Sequence, residues 1–271
     1  MITAYSHGNC LVASKLSWKP SKPYTIYGDL HPNQVPENSI FIQLEPNAVY
    51  KTLYKVDSSS TIRSFHTKYK YILTYDDELL NTIPNAICYI YGSTWITPDE
   101  RRILPKEYKI SSITGRKNFG PGHPLRVDLF ARQTEFPLPH TAFRSGRGSP
   151  PSIHNGPVLG DSKLPLFDGF QFALVIENSR QHNYFTEKLC DCLITKTIPV
   201  YYGCPNIHEY FDISGWVILD SESAEDALIK MKKLTTSHYT DHISAVEANA
   251  VTVLEYIDLY KNIDRALSTI E

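Results

Sequence analysis

The densest run of chemistry-bearing side chains in the 271-residue sequence is Glu177-Asn178-Ser179-Arg180-Gln181-His182-Asn183-Tyr184-Phe185-Thr186-Glu187-Lys188. It follows residues 171–176 (QFALVI), which read as a buried strand, and runs into a helical pattern over 184–195. In open α/β sheets, ligands bind just beyond the carboxyl ends of strands, and Glu177 and Asn178 fall there. Thr186, Glu187 and Lys188 lie in the first turn of the following helix. Its free N–H groups and partial positive charge suit a phosphate. Lys188 adds a point charge, and the two acceptor oxygens of Glu187 suit sugar hydroxyls. A capped helix with a solvated Glu-Lys pair explains the same spacing about as well. A second strand, 198–202 (IPVYY), ends within reach at Gly203.

The elements that must position these groups form two α/β series. In the first, 24–27 (YTIY), 39–44 (SIFIQL), 71–74 (YILT) and 86–91 (AICYIY) read as strands. They are β-branched and aromatic and are bounded by Pro, Asn and Gly. Residues 76–80 (DDELL) read as a short helix with an acidic first turn. A polar break bracketed by Pro98 and Pro105 covers 97–106. Beyond it come a strand at 108–113, a Gly/Pro-rich loop at 114–124, and a helical pattern at 125–133. Residues 136–169 show no clear period. After the central strands, 216–219 reads as a strand and 223–234 as a helix. The spacing of Ile243, Val246, Ala250, Val253, Leu254 and Ile257 predicts one long helix over 239–267.

Composition narrows the classes. Lys+Arg 27 against Asp+Glu 29 leaves a net charge of −2, which argues against general nucleic-acid binding. A hydrophobic share of 42% supports a sizeable core and excludes global disorder. Eighteen tyrosines offer flat rings with hydroxyls, suited to sugars or bases, although most are expected in the core or on the surface. No stretch reads as a signal segment or a membrane span. The five cysteines are scattered, with Cys190 and Cys192 too close for an easy bridge. A soluble chain in a reducing cytoplasm is the expectation.

Residues 170–211 resemble the donor-binding motif of the α-1,3-fucosyltransferases, glycosyltransferase family 10, of the small soluble bacterial or viral type. The likeness rests on Glu177-Asn178, Tyr184-x-Thr186-Glu187-Lys188 and Pro199-Val200-x-x-Gly203 at the family's spacing. It departs at Ile176 and Phe185, where the family has Phe and Val. The segment from Ser112 to Arg126 is similar to the strand, loop and arginine-bearing helix that open the donor domain. Leu44-Glu45-Pro46-Asn47 resembles the acceptor domain's Glu-Ser-Pro segment without its serine, and 71–80 resembles the strand and Asp-Glu-Leu turn after it.

The resemblance implies an α/β GT-B fold, two Rossmann-like domains facing a cleft. An acceptor-side domain would span 1–100 and a nucleotide-sugar domain 101–271, the last helix packing back on the first. It implies an inverting glycosyltransferase that moves a sugar, fucose from GDP-fucose first, to a glycan hydroxyl. A UDP-sugar such as UDP-xylose is the alternative donor, and an inactive sugar-binding module the second alternative. Arg126 and Lys188 would hold the diphosphate. Asn178 and Glu187 would bind ribose or sugar hydroxyls, Tyr184 would line the nucleotide pocket, and Glu45 would be the base. Glu177, His123 and Gly203 are further candidates. The partners are the nucleotide sugar and the glycan, with no nucleic acid, membrane span, metal or other cofactor.

Other features carry less. Asp76-Asp77-Glu78 imitates a metal-binding triplet but reads better as acids at a helix start. His7, His123 and His140 lack partners at metal-ligand spacing. Gly115, Gly120 and Gly122 resemble a phosphate loop only loosely. Arg144 and Arg147 fall in the segment without a period and read as solvated loop arginines before donor-closing ones.

Overall fold

The computed structural model describes residues 1–6, 11–101, 105–145 and 156–270. His7, Cys10 and Arg147 lie outside them. The chain divides into two units. The first takes Met1–Gly92, Gln181–Tyr184 and Asp258–Glu271; the second takes Ser93–Arg180 and Phe185–Ile257.

The first unit is a five-stranded sheet in sequence order: β1 (Ile2–Ser6), β2 (Tyr24–Gly28), β3 (Ser39–Ile42), β4 (Tyr71–Thr74) and β5 (Ala86–Cys88). All its pairings are parallel. Its helices are α1 (Asn47–Val49), α2 (Ser58–Phe65) and α3 (Asp77–Thr82). Successive side chains of a strand point to opposite faces, and here each face meets its own apolar layer. Tyr27, Phe41 and Ile72 pack with Ile62 and Phe65 of α2 and Leu79 of α3. Ile26, Ile40, Ile42 and Leu73 pack on the other face with Ile263, Ala266 and Leu267 near the chain's end.

The second unit is also all-parallel. Its strands are β6 (Glu107–Thr114), β7 (His140–Ser145), β8 (Val158–Leu159), β9 (Phe170–Ile176), β10 (Ile198–Tyr202) and β11 (Val217–Ile218). Their order is β11-β10-β9-β6-β7-β8. Every residue of β9 is buried, as a central parallel strand covered on both faces requires. Helices α4 (Gly122–Ala131), α5 (Glu187–Ile194) and α6 (Ala224–Met231) follow β6, β9 and β11. Leu125 and Leu129 of α4 and Leu228 and Met231 of α6 share one core layer with Phe172, Leu174 and Val200.

The single long C-terminal helix is not what forms. The segment breaks into α7 (His238–Asp241), α8 (Ile243–Thr252) and α9 (Leu259–Leu267). The break has a local cause. The Tyr256 ring packs against Phe185, Tyr210 and Phe211, and Asp258, in extended conformation, caps α9 by accepting from the N–H groups of Tyr260 and Lys261. The chain passes from one unit to the other at this break. The segment without a period also holds structure, β7 and β8, and β1 and α2 escaped sequence reading as well.

Candidate active site

In the second unit the chain leaves β6 toward β7 on one side, whereas β9 leads to β10 and β11 on the other. Connections diverge between β6 and β9, and this topological switch point is where open parallel sheets bind ligands. Residues following these two strands carry most of the predicted donor set.

Arg126, half-buried on α4, reaches the end of β9. Its guanidinium donates to the Ile176 carbonyl, with Nε at 3.1 Å, and to Asn178 Oδ1 at 3.2 Å. The Gly122 N–H donates to the Asn178 carbonyl at 3.2 Å. A Cβ on Gly122 would stand 1.8 Å from the Glu177 carbonyl oxygen, so only glycine lets α4 begin this close to the strand. Arg126 and Asn178, 52 positions apart in sequence, are thus neighbours.

Glu177 is fully buried. Its carboxylate accepts from the Thr186 N–H at 2.9 Å and the Thr186 hydroxyl at 2.8 Å. Thr186 in turn caps α5, which therefore starts at Glu187 and not at Tyr184. Lys188 Nζ lies 3.0 Å from Glu187 Oε1, 3.1 Å from Thr186 Oγ1 and 3.5 Å from Glu177 Oε2. Burial disfavours the ammonium charge, but the Glu187 and Glu177 carboxylates outweigh it and hold Lys188 above the ordinary lysine range. Burial works against the Glu187 carboxylate as well, and Lys188 overrides it, keeping Glu187 below the usual carboxylate range. The result is a charged pair at a helix start, with an arginine close by on α4.

Gly203 directly follows β10, against Tyr201 and Glu177. A Cβ there would meet the Tyr201 hydroxyl at 2.4 Å and Glu177 Cγ at 2.8 Å. His123 is buried on α4, and its ring Nδ1 accepts from the Phe119 N–H at 3.4 Å. Burial, then the charges of Arg126 and Lys188, push its pKa down to about 4, so at neutral pH it is an uncharged imidazole.

Tyr184, expected at the start of a helix, lies before α5, and at 2% exposure it belongs to the core of the first unit. Its ring centroid lies 4.8 Å from that of Tyr75 and 5.7 Å from that of Tyr91. The cause is the path of the chain between β9 and α5. Gln181 Nε2 donates to Asp76 Oδ2 at 3.1 Å, and His182 Nδ1 lies 2.6 Å from Asp77 Oδ2. Asn183, left-handed at φ 59°, donates to Asp77 Oδ1 at 2.9 Å. These bonds turn Tyr184 into the tyrosine cluster. Asp76 also caps α3, accepting from the N–H groups of Glu78 and Leu79, so the acidic triplet is helix chemistry. No group of three metal-ligating side chains occurs among the described residues.

Glu45 lies in the first unit, three residues beyond β3 and two before α1, and is partly exposed. Its N–H and that of Leu44 donate to the two carboxylate oxygens of Asp29, at 2.8 and 2.9 Å. Two residues near these groups escaped sequence reasoning. Asp29 is one, for nothing in its neighbourhood marks it. Ser179 is the other: its buried hydroxyl has no hydrogen-bond partner in the structure, and its position inside the Glu177–Lys188 run was the available signal. Arg144 donates through Nε to the Gly156 carbonyl at 2.7 Å, tying β7 to the next segment.

Residues 153–263 match the model for glycosyltransferase family 10 (fucosyltransferase), C-terminal part. The chain is 29% identical over 95 residues to an alpha-(1,3)-fucosyltransferase of Helicobacter pylori, covering 35% of this chain and 20% of that protein. It is 25% identical over 116 residues to GDP-fucose protein O-fucosyltransferase 3 of Danio rerio, covering 42% and 25%. The match therefore spans a quarter or less of these curated relatives. Among solved structures, an alpha1,3-fucosyltransferase with GDP aligns over 88% of this chain and 79% of its own, at 17% identity and TM-score 0.51. An E. coli trehalose-6-phosphate protein bound with UDP-2-fluoro glucose aligns over 93% and 73%, at 10% identity and TM-score 0.61. No helix among the described residues is long and apolar enough to cross a membrane. With two parallel sheets and these structural likenesses the chain has the α/β GT-B fold, and residues 153–263 are similar to the C-terminal part of the glycosyltransferase family 10 fucosyltransferases.

Proposed function

We propose that the protein is an inverting glycosyltransferase that takes fucose from GDP-fucose to a hydroxyl of a glycan. The observation that carries this reading is the placement of Arg126 and Lys188 at the switch point, one after β6 and one after β9. Two cations at fixed positions suit one diphosphate better than a polyanion, in keeping with the near-neutral net charge. The names of the curated relatives, an alpha-(1,3)-fucosyltransferase and a GDP-fucose protein O-fucosyltransferase, support the sugar and the base.

In this reading the bond between the sugar's anomeric carbon and the diphosphate oxygen breaks, and its electron pair leaves with the diphosphate. Arg126, Lys188 and the N–H groups at the start of α5 stabilise the growing charge. Lys188 has three donor positions, so a phosphate oxygen would take one now turned to a carboxylate or to Thr186. Asn178 and Glu187 would take ribose or sugar hydroxyls. The acceptor oxygen attacks the opposite face of the sugar, inverting it, and its proton passes to Glu45. No step requires a metal or other cofactor.

A nucleotide screen tests the proposal. Binding to the folded state raises apparent stability by mass action, so GDP and GDP-fucose should raise the melting temperature. A rise with UDP and not with GDP would move the donor to a UDP-sugar. No rise with any nucleotide at millimolar concentration would remove the transferase reading in favour of a glycan-binding one.

A further inference from the structure

The candidate base has a second carboxylate built against it. Asp29 follows the carboxyl end of β2 with its backbone in the left-handed region, at φ 51°. That conformation costs energy for a residue with a Cβ and is tolerated best by Asn and Asp. Its Oδ1 accepts from the Leu44 N–H at 2.9 Å and from the Tyr50 hydroxyl at 2.6 Å; Oδ2 accepts from the Glu45 N–H at 2.8 Å. Three donors therefore converge on one acid, two of them from the turn that carries Glu45 off β3. Three donors are a partner set for a carboxylate, and they hold this one in place.

Electrostatics add to the geometry. Burial pushes the pKa of Asp29 up to about 7; the Tyr50 and Leu44 hydrogen bonds oppose that rise, and the charge of Glu45 adds to it. Tyr50, Tyr75 and Tyr89 also feel the charge of Asp29. All three are held above the ordinary tyrosine range by burial first, with Asp29 contributing. Like charges make each carboxylate hold a proton more tightly, and the interaction is mutual.

We propose that Asp29 is the positioning residue of the base: it clamps the turn bearing Glu45 and, by its negative charge, strengthens Glu45 as proton acceptor. The inference rests on the reading of Glu45 as the base. In the step concerned, the acceptor O–H gives its proton to the Glu45 carboxylate as its oxygen bonds to the anomeric carbon. The electron pair of the broken bond leaves on the diphosphate, so charge and atoms balance. An unassisted glutamate, with a pKa of ~4.3, is a weak base at neutral pH, and general-base catalysis improves as the base's pKa approaches the working pH. A neighbouring buried carboxylate supplies that correction without a second reacting group.

The test is a carbon-detected NMR titration of the full chain, with Glu45 assigned by the resonance lost in Glu45→Gln. In Asp29→Asn the upper of the two carboxylate midpoints should vanish and the lower one, that of Glu45, should remain. With GDP-fucose and an acceptor that supports wild-type turnover, kcat at pH 7 should fall about tenfold and the acid limb of its profile should move to lower pH. Donor affinity should stay unchanged. An unmoved acid limb in Asp29→Asn, with Glu45→Gln inactive, overturns the role of Asp29 alone. If Glu45→Gln turns over like wild type, the base reading itself fails. Should Asp29→Asn not fold, Tyr50→Phe keeps the acid and removes one donor. The upper midpoint of the carboxylate pair should then rise, and an unchanged pair overturns the proposal.

Discussion

The candidate residues of the two units are held in different ways. In the second unit, side chains hold side chains: Glu177 grips Thr186, Lys188 joins Glu187 and Thr186, and Arg126 reaches Asn178. In the first, the backbone of Leu44 and Glu45 is gripped by the single carboxylate of Asp29. The difference separates two tasks. A group that meets a fixed diphosphate gains from a rigid, mutually paired set of charges. A group that takes a proton gains from a fixed backbone and a tunable charge beside it.

The contrast can be broken at four places. The largest effect is expected for Glu45→Gln: a loss of about a hundredfold or more in kcat with unchanged donor affinity, measured by steady-state kinetics and donor titration. Unchanged turnover would remove Glu45 as base and leave only the second unit's site standing. Next is Gly122→Ala. Its Cβ would press on the Glu177 backbone at 1.8 Å, and denaturant unfolding should show a loss of about 3 kcal/mol. A variant as stable as wild type would show that α4 and β9 can part freely, against the rigid set described here.

Lys188→Ala should weaken donor affinity about a hundredfold, or about 2.7 kcal/mol, in calorimetric titration. Equal affinity would mean that the lysine serves only its two carboxylates. The smallest effect concerns pH. His123 is neutral in the fold down to about 4, against an ordinary 6.5. Below pH 6.5 the unfolded chain takes up a proton that the fold refuses. Stability is thus complete above that value and falls as pH drops toward 4. His123→Gln should flatten this acid-side loss in unfolding measured across pH; an identical slope would sink the assignment.

Legibility followed the same division. The 177–188 run was readable because capping, strand burial and helix-start chemistry are local, and β9 and β10 announce themselves as apolar runs. The pairing of Arg126 with Asn178 was reachable only as an implied role, since 52 positions separate them. Asp29 was not legible at all: the partners of its carboxylate are fifteen, sixteen and twenty-one residues away, and two of those three bonds go to backbone, which no side-chain pattern encodes. Tyr184 misled because a helical period ran through it. The left-handed turn at Asn183 and the long-range hydrogen bonds to Asp76 and Asp77 moved it into a core. The long terminal helix failed for a similar reason, since periodicity continued across the Asp258 cap.

The most direct test of the central claim, that Arg126 and Lys188 form one diphosphate site, is calorimetric titration of GDP into wild type, Arg126→Ala and Lys188→Ala. Wild type should bind GDP, and each variant should lose about a hundredfold in affinity. Equal binding by all three, or no binding by a folded wild type, would contradict it.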